Sequence, residues 1–325
     1  MNLIEVTEKF PDELTATKFF EKARWKDKPT CAYCGSDNVS PRKSDYRFTC
    51  FNCNKSFSVT VNTMLHRTRI PLRTWLIAFS LVTDAKKGIS AKQLERNLDV
   101  SYKTAWRMGM KMRTLMRETN GKLDDVVEMD ETYVGGKPRR GGLSTLTKEE
   151  KAYYDKTVQR LDKRFDISEG KQKKKWIPAH LVKRGRGTRK VPVVGIVERD
   201  GNVIAKVMEK LSHDNLKAMV QKHVEEEDAV LITDKYKGYN RLEKIIDHIK
   251  VDHEKMYSYR GINTNTIESF WAIIKRGIMG QYHKITLRYL PDYITEFVFK
   301  YNNRNDDDMF KTLVLNSMQP QRARA

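Results

Sequence analysis

Val-Val-Glu-Met-Asp-Glu-Thr-Tyr-Val-Gly-Gly (126–136) is the stretch on which the fold turns. Its apolar start, Val126–Met129, reads as a β-strand and runs into an acid, Asp130. Side chains alternate along a strand, so Asp130 shares a face with Glu128 and Val126, and Glu131 points the other way. The pattern recurs in Val-Leu-Ile-Thr-Asp-Lys-Tyr-Lys-Gly-Tyr (230–239), where Asp234 ends a second strand, Asp228–Thr233. That strand is apolar enough to predict burial on both faces. Asn-Thr-Asn-Thr-Ile-Glu-Ser-Phe-Trp-Ala-Ile-Ile-Lys-Arg-Gly (263–277) has helical spacing instead. Ile267, Phe270, Trp271, Ile274 and Ile278 make one apolar stripe, with Glu268 and Lys275 together at its margin and Arg276 beside them.

Around these three segments, strands alternate with helices. Residues 191–198 and 202–207 read as a hairpin around Asp200-Gly201. Ser212–Val224 reads as a helix capped by Ser212, and roughly Leu287–Asn302 as another. An α/β core with a mixed sheet flanked by helices is therefore expected over 121–305. Substrate crevices in open α/β sheets lie at strand ends. Asp130 and Asp234 on neighbouring strands could share a metal there, with Glu268 brought in by the helix and Lys275 placed to hold a phosphate. Hard divalent cations want converging oxygen ligands, and a Mg²⁺ pair flanking a phosphodiester needs several carboxylates.

The bulk composition selects the substrate. Lys plus Arg is 62 against 42 Asp plus Glu, a net charge of +20 over 325 residues. Such a balance implies a polyanionic partner, with nucleic acid ahead of a membrane. No run of about 18 apolar residues occurs, so no membrane span is expected. Met1–Val6 lacks a basic segment followed by an apolar one, so no signal peptide is expected.

All four cysteines fall in two pairs, Cys31-Ala-Tyr-Cys34 and Cys50-Phe-Asn-Cys53, 15 residues apart. That spacing predicts a four-thiolate zinc ribbon within residues 1–62, preceded by a helical lead-in that starts at Pro11-Asp12. Four thiolates leave no open position, so the Zn²⁺ is structural, and the usage fits a reducing cytoplasm. Residues 63–120 read as a helix-turn-helix DNA-binding domain, helical over 70–118. Ser90, with Gln93, caps one helix; Leu98-Asp99-Val100 turns the chain; Ser101 caps the next. Tyr102, Lys103, Thr104 and Arg107 then occupy the first turns of that second helix, where a helix-turn-helix reads a major groove. An ordinary helical hairpin is the competing reading. Residues 138–190 form a basic insertion, with 17 Lys/Arg against 6 Asp/Glu over 139–190; it is either a DNA-backbone contact or a solvated surface loop. Residues 306–325 read as a C-terminal tail.

Asp-Glu-Thr-Tyr-Val-Gly-Gly-Lys, Gly-Arg-Gly-Thr-Arg-Lys-Val-Pro-Val-Val-Gly, Thr-Asp-Lys-Tyr-Lys-Gly-Tyr and Asn-Thr-Ile-Glu-Ser-Phe-Trp followed by Lys-Arg-Gly resemble the ISXO-like insertion-sequence transposases, relatives of the Merlin transposons. Gly280-Gln-Tyr-His283 and Tyr301-Asn-Asn-Arg304 fit the resemblance, which covers nearly the whole chain. It implies an RNase H-like core with a DDE-type site holding two Mg²⁺ (or Mn²⁺) ions. Asp130 and Asp234 would be the first two carboxylates, Glu268 the third, and Lys275 the lysine that follows. Some members of the group carry asparagine in third place, and Asn263 and Asn265 lie just before Glu268. The basic stretch after Gly136 is longer than the family pattern. The resemblance further implies binding to terminal inverted repeats and target DNA in the bacterial cytoplasm, at the nucleoid, as a homo-oligomer, because two ends must be joined. A non-catalytic DNA-binding regulator and an RNase H-like nuclease without strand transfer are the competing functions.

Overall fold

Side-chain caps at Asn2, Asp12, Ser90 and Ser101 start helices in the N-terminal half. The computed structural model describes residues 1–42, 45–117, 121–135, 147–165, 190–251, 262–306 and 308–320. Asn2 and Asp12 cap α1 (Leu3–Lys9) and α2 (Glu13–Trp25), each accepting a backbone N–H three residues on. The expected lead-in is thus two helices, and its buried side is Ala16, Thr17 and Phe20, with Leu14 exposed. A small antiparallel sheet follows: β1 (Val39–Arg42), β2 (Arg47–Cys50) and β3 (Ser56–Ser58). Phe48 and Phe57 stack at 5.7 Å, and Trp25 of α2 meets Phe48 edge-on at 5.2 Å, which seats the sheet on the helix. Next come α3 (Leu72–Asp84), α4 (Ala91–Leu98) and α5 (Tyr102–Leu115). Ser90 and Ser101 accept the N–H of Gln93 and Thr104 as N-caps, and Asp99 adopts the left-handed conformation that ends α4.

The second half is built on β4 (Leu123–Val134), followed by α6 (Lys148–Phe165), β5 (Val191–Glu198), β6 (Val203–Val207), α7 (His213–His223), β7 (Val224–Asp234), β8 (Asp247–Val251), α8 (Asn265–Gly277), α9 (Leu290–Asn302) and α10 (Met309–Met318). Among the described residues the sheet order is β6-β5-β4-β7-β8. β4, β5 and β6 form an antiparallel meander, and β7 and β8 continue parallel to β4. A parallel partner needs a crossover, which α7 helps supply. Leu216, Met219 and Val220 of α7 pack on Val127, Met129 and Leu231 on one face of the sheet. The opposite face carries α8 and α9, through Ile267, Phe270, Trp271, Ile294 and Phe297.

The structure adds to three expectations. β4 does not stop at Met129; it continues to Val134 because β5 pairs with it over the whole distance, Val127 with Glu198 through Val134 with Val191. Asp130 therefore lies within a strand, at the point where the other neighbour, β7, ends. Part of the basic insertion, Lys148–Phe165, is helical, and 138–146 and 166–189 lie outside the described residues. The expected tail contains α10, whose Phe310, Leu313, Val314 and Met318 enter the same core as Phe20, Trp75, Phe79 and Met112. An apolar stripe of that width is buried wherever a partner face exists.

Candidate active site

The two faces of β4 separate its acids. Glu128 and Asp130 lie on the α8 face, and Glu131 lies on the α7 face, where it accepts the Tyr239 hydroxyl at 2.7 Å. Tyr239 is fully buried, and burial, then the Glu131 charge, raise its phenol well above the usual range, so it stays a donor.

Glu128 is fully buried and surrounded by donors. Oε1 accepts from Arg199 Nε at 2.9 Å and from Thr266 Oγ1 at 3.0 Å. Oε2 accepts the N–H groups of Thr266 and Ile267 at 2.9 and 3.0 Å. The first N–H groups of a helix have no intrahelical partner and carry partial positive charge. A carboxylate from the sheet meets that need here and fixes where α8 begins. Four donors occupy the four acceptor sites of a carboxylate, so Glu128 anchors the helix and is not a metal ligand.

Gly195 of β5, the partner of Asp130, decides how closely α8 approaches. A Cβ at Gly195 would sit 2.7 Å from the Trp271 ring and 2.9 Å from Ile267 Cδ1. With hydrogen there, Trp271 lies flat enough on the sheet for its Nε1–H to reach Asp130 Oδ2 at 3.1 Å. Parallel pairing of Met129 with Thr233 puts Asp234 beside Asp130, on the same face. Asp234 Oδ1 accepts the Tyr236 N–H at 2.9 Å, which turns the chain sharply after β7. Glu268, in the first turn of α8, is exposed and accepts the Thr264 hydroxyl at 3.2 Å. Burial chiefly, with the charges of Glu131, Asp234 and Glu268, lifts the Asp130 carboxyl to about 7. Asp234 and Glu268 therefore both act electrostatically on Asp130.

Lys275 and Arg276 are exposed in the last turn of α8. Lys275 is about two turns, ~10 Å, along the helix from Glu268. Tyr102, Lys103 and Arg107 are exposed on α5, opposite the buried Ala105, Met108 and Met112. Thr104 is half-buried and its hydroxyl bonds Ser101 Oγ at 3.0 Å, so it serves the cap. Among the rival residues, Asn263 uses its side chain to accept the Asn265 N–H at 3.1 Å, and Asn265 is exposed.

In the ribbon, Cys31 and Cys53 sulfurs are 3.6 Å apart, as are Cys34 and Cys50, and all four lie within 4.8 Å of one another. A tetrahedral zinc with Zn–S bonds of about 2.3 Å needs sulfurs about 3.8 Å apart. The knuckles turn through left-handed residues after each second cysteine, Gly35 (φ 75°) and Asn54 (φ 52°). The set fits a structural Zn²⁺.

The anchoring role of Glu128 and the clearance at Gly195 were not read from the sequence. A glycine inside an apolar strand was the available signal, since it marks a close approach.

Residues 122–302 match the ISXO2-like transposase domain, and residues 11–56 match a transposase zinc-ribbon domain. The first match spans more than half of the chain, which belongs to the ISXO2-like transposase family. A relative is the uncharacterized protein in transposable element ISH50 of Halobacterium salinarum, 23% identical over 277 residues, or 82% of this chain and 83% of that protein. No helix among the described residues is long and apolar enough to cross a membrane.

Proposed function

We propose that the protein is the transposase of an insertion sequence, which binds terminal inverted repeats, cuts the strand at the element's end and joins it to target DNA. The observation that supports this reading is the placement of Asp130 and Asp234 on adjacent parallel strands, with the charges of Asp234 and Glu268 both raising the Asp130 carboxyl. The meander-plus-parallel order β6-β5-β4-β7-β8 supports an RNase H-like core. The three-residue turn between α4 and α5, with its two serine caps, supports a helix-turn-helix.

In this reading Asp130, Asp234 and Glu268 hold two Mg²⁺ or Mn²⁺ ions. Bound there, the ions would activate water or a 3′-hydroxyl and stabilise the leaving oxygen. The chain's own residues supply the rest. Trp271 fixes the rotation of the Asp130 carboxylate, Lys275 and Arg276 neutralise phosphate, and Tyr102, Lys103 and Arg107 face the DNA groove. Thr104 contributes by holding the N-terminus of α5. Two ends are joined, so the protein works as a dimer or larger assembly on DNA, among the nucleoid DNA of the cytoplasm.

The test uses labelled duplexes from the DNA flanking the coding sequence, a target plasmid and Mg²⁺. Cutting and joining are expected. Cutting alone would mark a nuclease, and binding without cutting a regulator. Asp130→Asn and Asp234→Asn should bind ends and cut nothing; retained cleavage would sink the site assignment.

A further inference from the structure

Glu296 of α9 is 1% exposed and receives three donors from three different parts of the chain. Arg113 Nε, from the last turn of α5, reaches Oε2 at 2.8 Å, and the Tyr282 hydroxyl reaches the same oxygen at 2.9 Å. Lys300 Nζ reaches Oε1 at 2.8 Å and also donates to the Ala85 carbonyl, at the end of α3, at 2.8 Å. The Arg113 guanidinium lies 3.9 Å over the Tyr293 ring. Burial alone would raise the Glu296 carboxyl; Lys300 and Arg113 outweigh it and hold it down at about 2.

Tyr282 ends a π-helical turn, Ile278–Tyr282, that continues directly from α8. Two glycines let this region touch the α3–α4 turn. A Cβ on Gly88 (φ 86°) would fall 1.9 Å from the Tyr282 oxygen, and one on Gly277 would fall 2.9 Å from the Lys87 carbonyl. The C-terminal end of the helix that presents Tyr102 and Lys103 is therefore tied, through Glu296 of α9, to Tyr282 of the π-helical turn that follows the helix presenting Glu268. Each carries its functional group in its first turn, away from the junction. Phe299 of α9 and the apolar side of α10 add to the same core as α3 and α5, so the two halves form a continuous packed body. Breaking such a buried network is costly, because it leaves charges without partners.

We infer that the Glu296 cluster, formed with Arg113, Tyr282 and Lys300, is the positioning device that sets which phosphodiester is cut, by holding the α5 contact surface at a fixed distance from the carboxylates. This rests on the transposase reading above. A flexible link would let the catalytic face follow the physical end of the DNA. A packed junction holds the cut at a constant distance from the bound sequence, wherever the end lies.

The experiment uses the full-length protein and a series of labelled end duplexes with one, two or three base pairs inserted between the protected sequence and the terminus. The cut is expected to stay at a constant distance from the protected sequence, so that it leaves the original junction by the number of inserted pairs. A cut that follows the junction overturns the inference while leaving the transposase reading intact. No cut on the unaltered duplex overturns both. Tyr282→Phe, which removes a single hydroxyl, should leave end binding unchanged and spread the cut over neighbouring phosphodiesters. Glu296→Gln should spread it further. A general loss of folding would lower all cutting equally and would not widen the spread; a single, unshifted cut in Tyr282→Phe would also overturn the inference.

Discussion

Replacing Glu128 tests the logic of the site, because three of its four bonds connect β4 to the start of α8, about 138 residues on in sequence, and the fourth ties it to Arg199. Glu128→Ala leaves two backbone N–H groups, the Thr266 hydroxyl and the Arg199 guanidinium without their acceptor. Removing one member of a buried ion pair costs about 3–5 kcal/mol. Arg199 keeps its bond to the Asn263 carbonyl at 2.9 Å and its side chain is 26% exposed, which favours the lower end of that range. Glu128→Gln keeps the shape but turns an NH₂ toward donors, so a loss of about 1.5–3 kcal/mol is expected, the usual worth of hydrogen bonds to a charged group. Urea unfolding gives the stability, and hydrogen exchange at the Thr266 and Ile267 amides gives the local effect. Both amides should lose protection while the β4–β5 ladder keeps its own. Strand cleavage should fall with them, since Glu268 is one residue beyond. Unchanged protection at both amides, with a stability change under about 1 kcal/mol, would refute the anchoring role. So would a Glu128→Gln variant with intact stability that has lost the thermal shift produced by Mg²⁺ or Mn²⁺, because Glu128 would then be a ligand.

Gly195→Ala should cost about 1–3 kcal/mol, as overpacking does in a closed core, and should cut cleavage more than end binding by lifting Trp271 from Asp130; wild-type melting and turnover would refute it. Asp130 should give the apo protein a slope with pH. Its folded value, about 7, lies above the ordinary carboxylate value of 3.8, so the folded state keeps the proton longer. Stability from this group is then greatest below about pH 4 and declines as pH rises to about 7. Thermal melts without added divalent cation should show that decline, and Asp130→Asn should remove it. Cys50→Ser should lose the bound zinc by metal analysis and loosen the Phe48–Phe57–Trp25 cluster, while the α3–α5 core stays folded; full zinc content in that variant would exclude the four-thiolate site.

The residues that were legible in the sequence act locally. The cysteine pairs are read by spacing, because a metal needs its ligands on two short turns. Ser90, Ser101 and Ser212 are read as caps because each satisfies an N–H three residues away. The Asp200-Gly201 turn follows from its own dihedral preference, with Asp200 at φ 59°. The alternation of β4 separates Asp130 from Glu131 whatever its neighbours do. The length of β4 was not legible, since β5 and not its own composition carries it to Val134. The same holds for α10, whose apolar side has meaning only against α2, α3 and α5.

The sequence by itself thus made legible the cysteine pairs, the starts of the serine-capped helices and the alternation of the acids, because residue type and spacing suffice for knuckles, capping and alternation. Tertiary structure alone decided what each acid does. Glu128 and Asp130 are two residues apart on one face of one strand, yet Glu128 is saturated by the start of α8 and Arg199, and Asp130 is left with Trp271 and the charges of Asp234 and Glu268. That division depends on where a helix more than a hundred residues away comes to rest. The hydrogen at Gly195 sets that resting place, and no local pattern reports it.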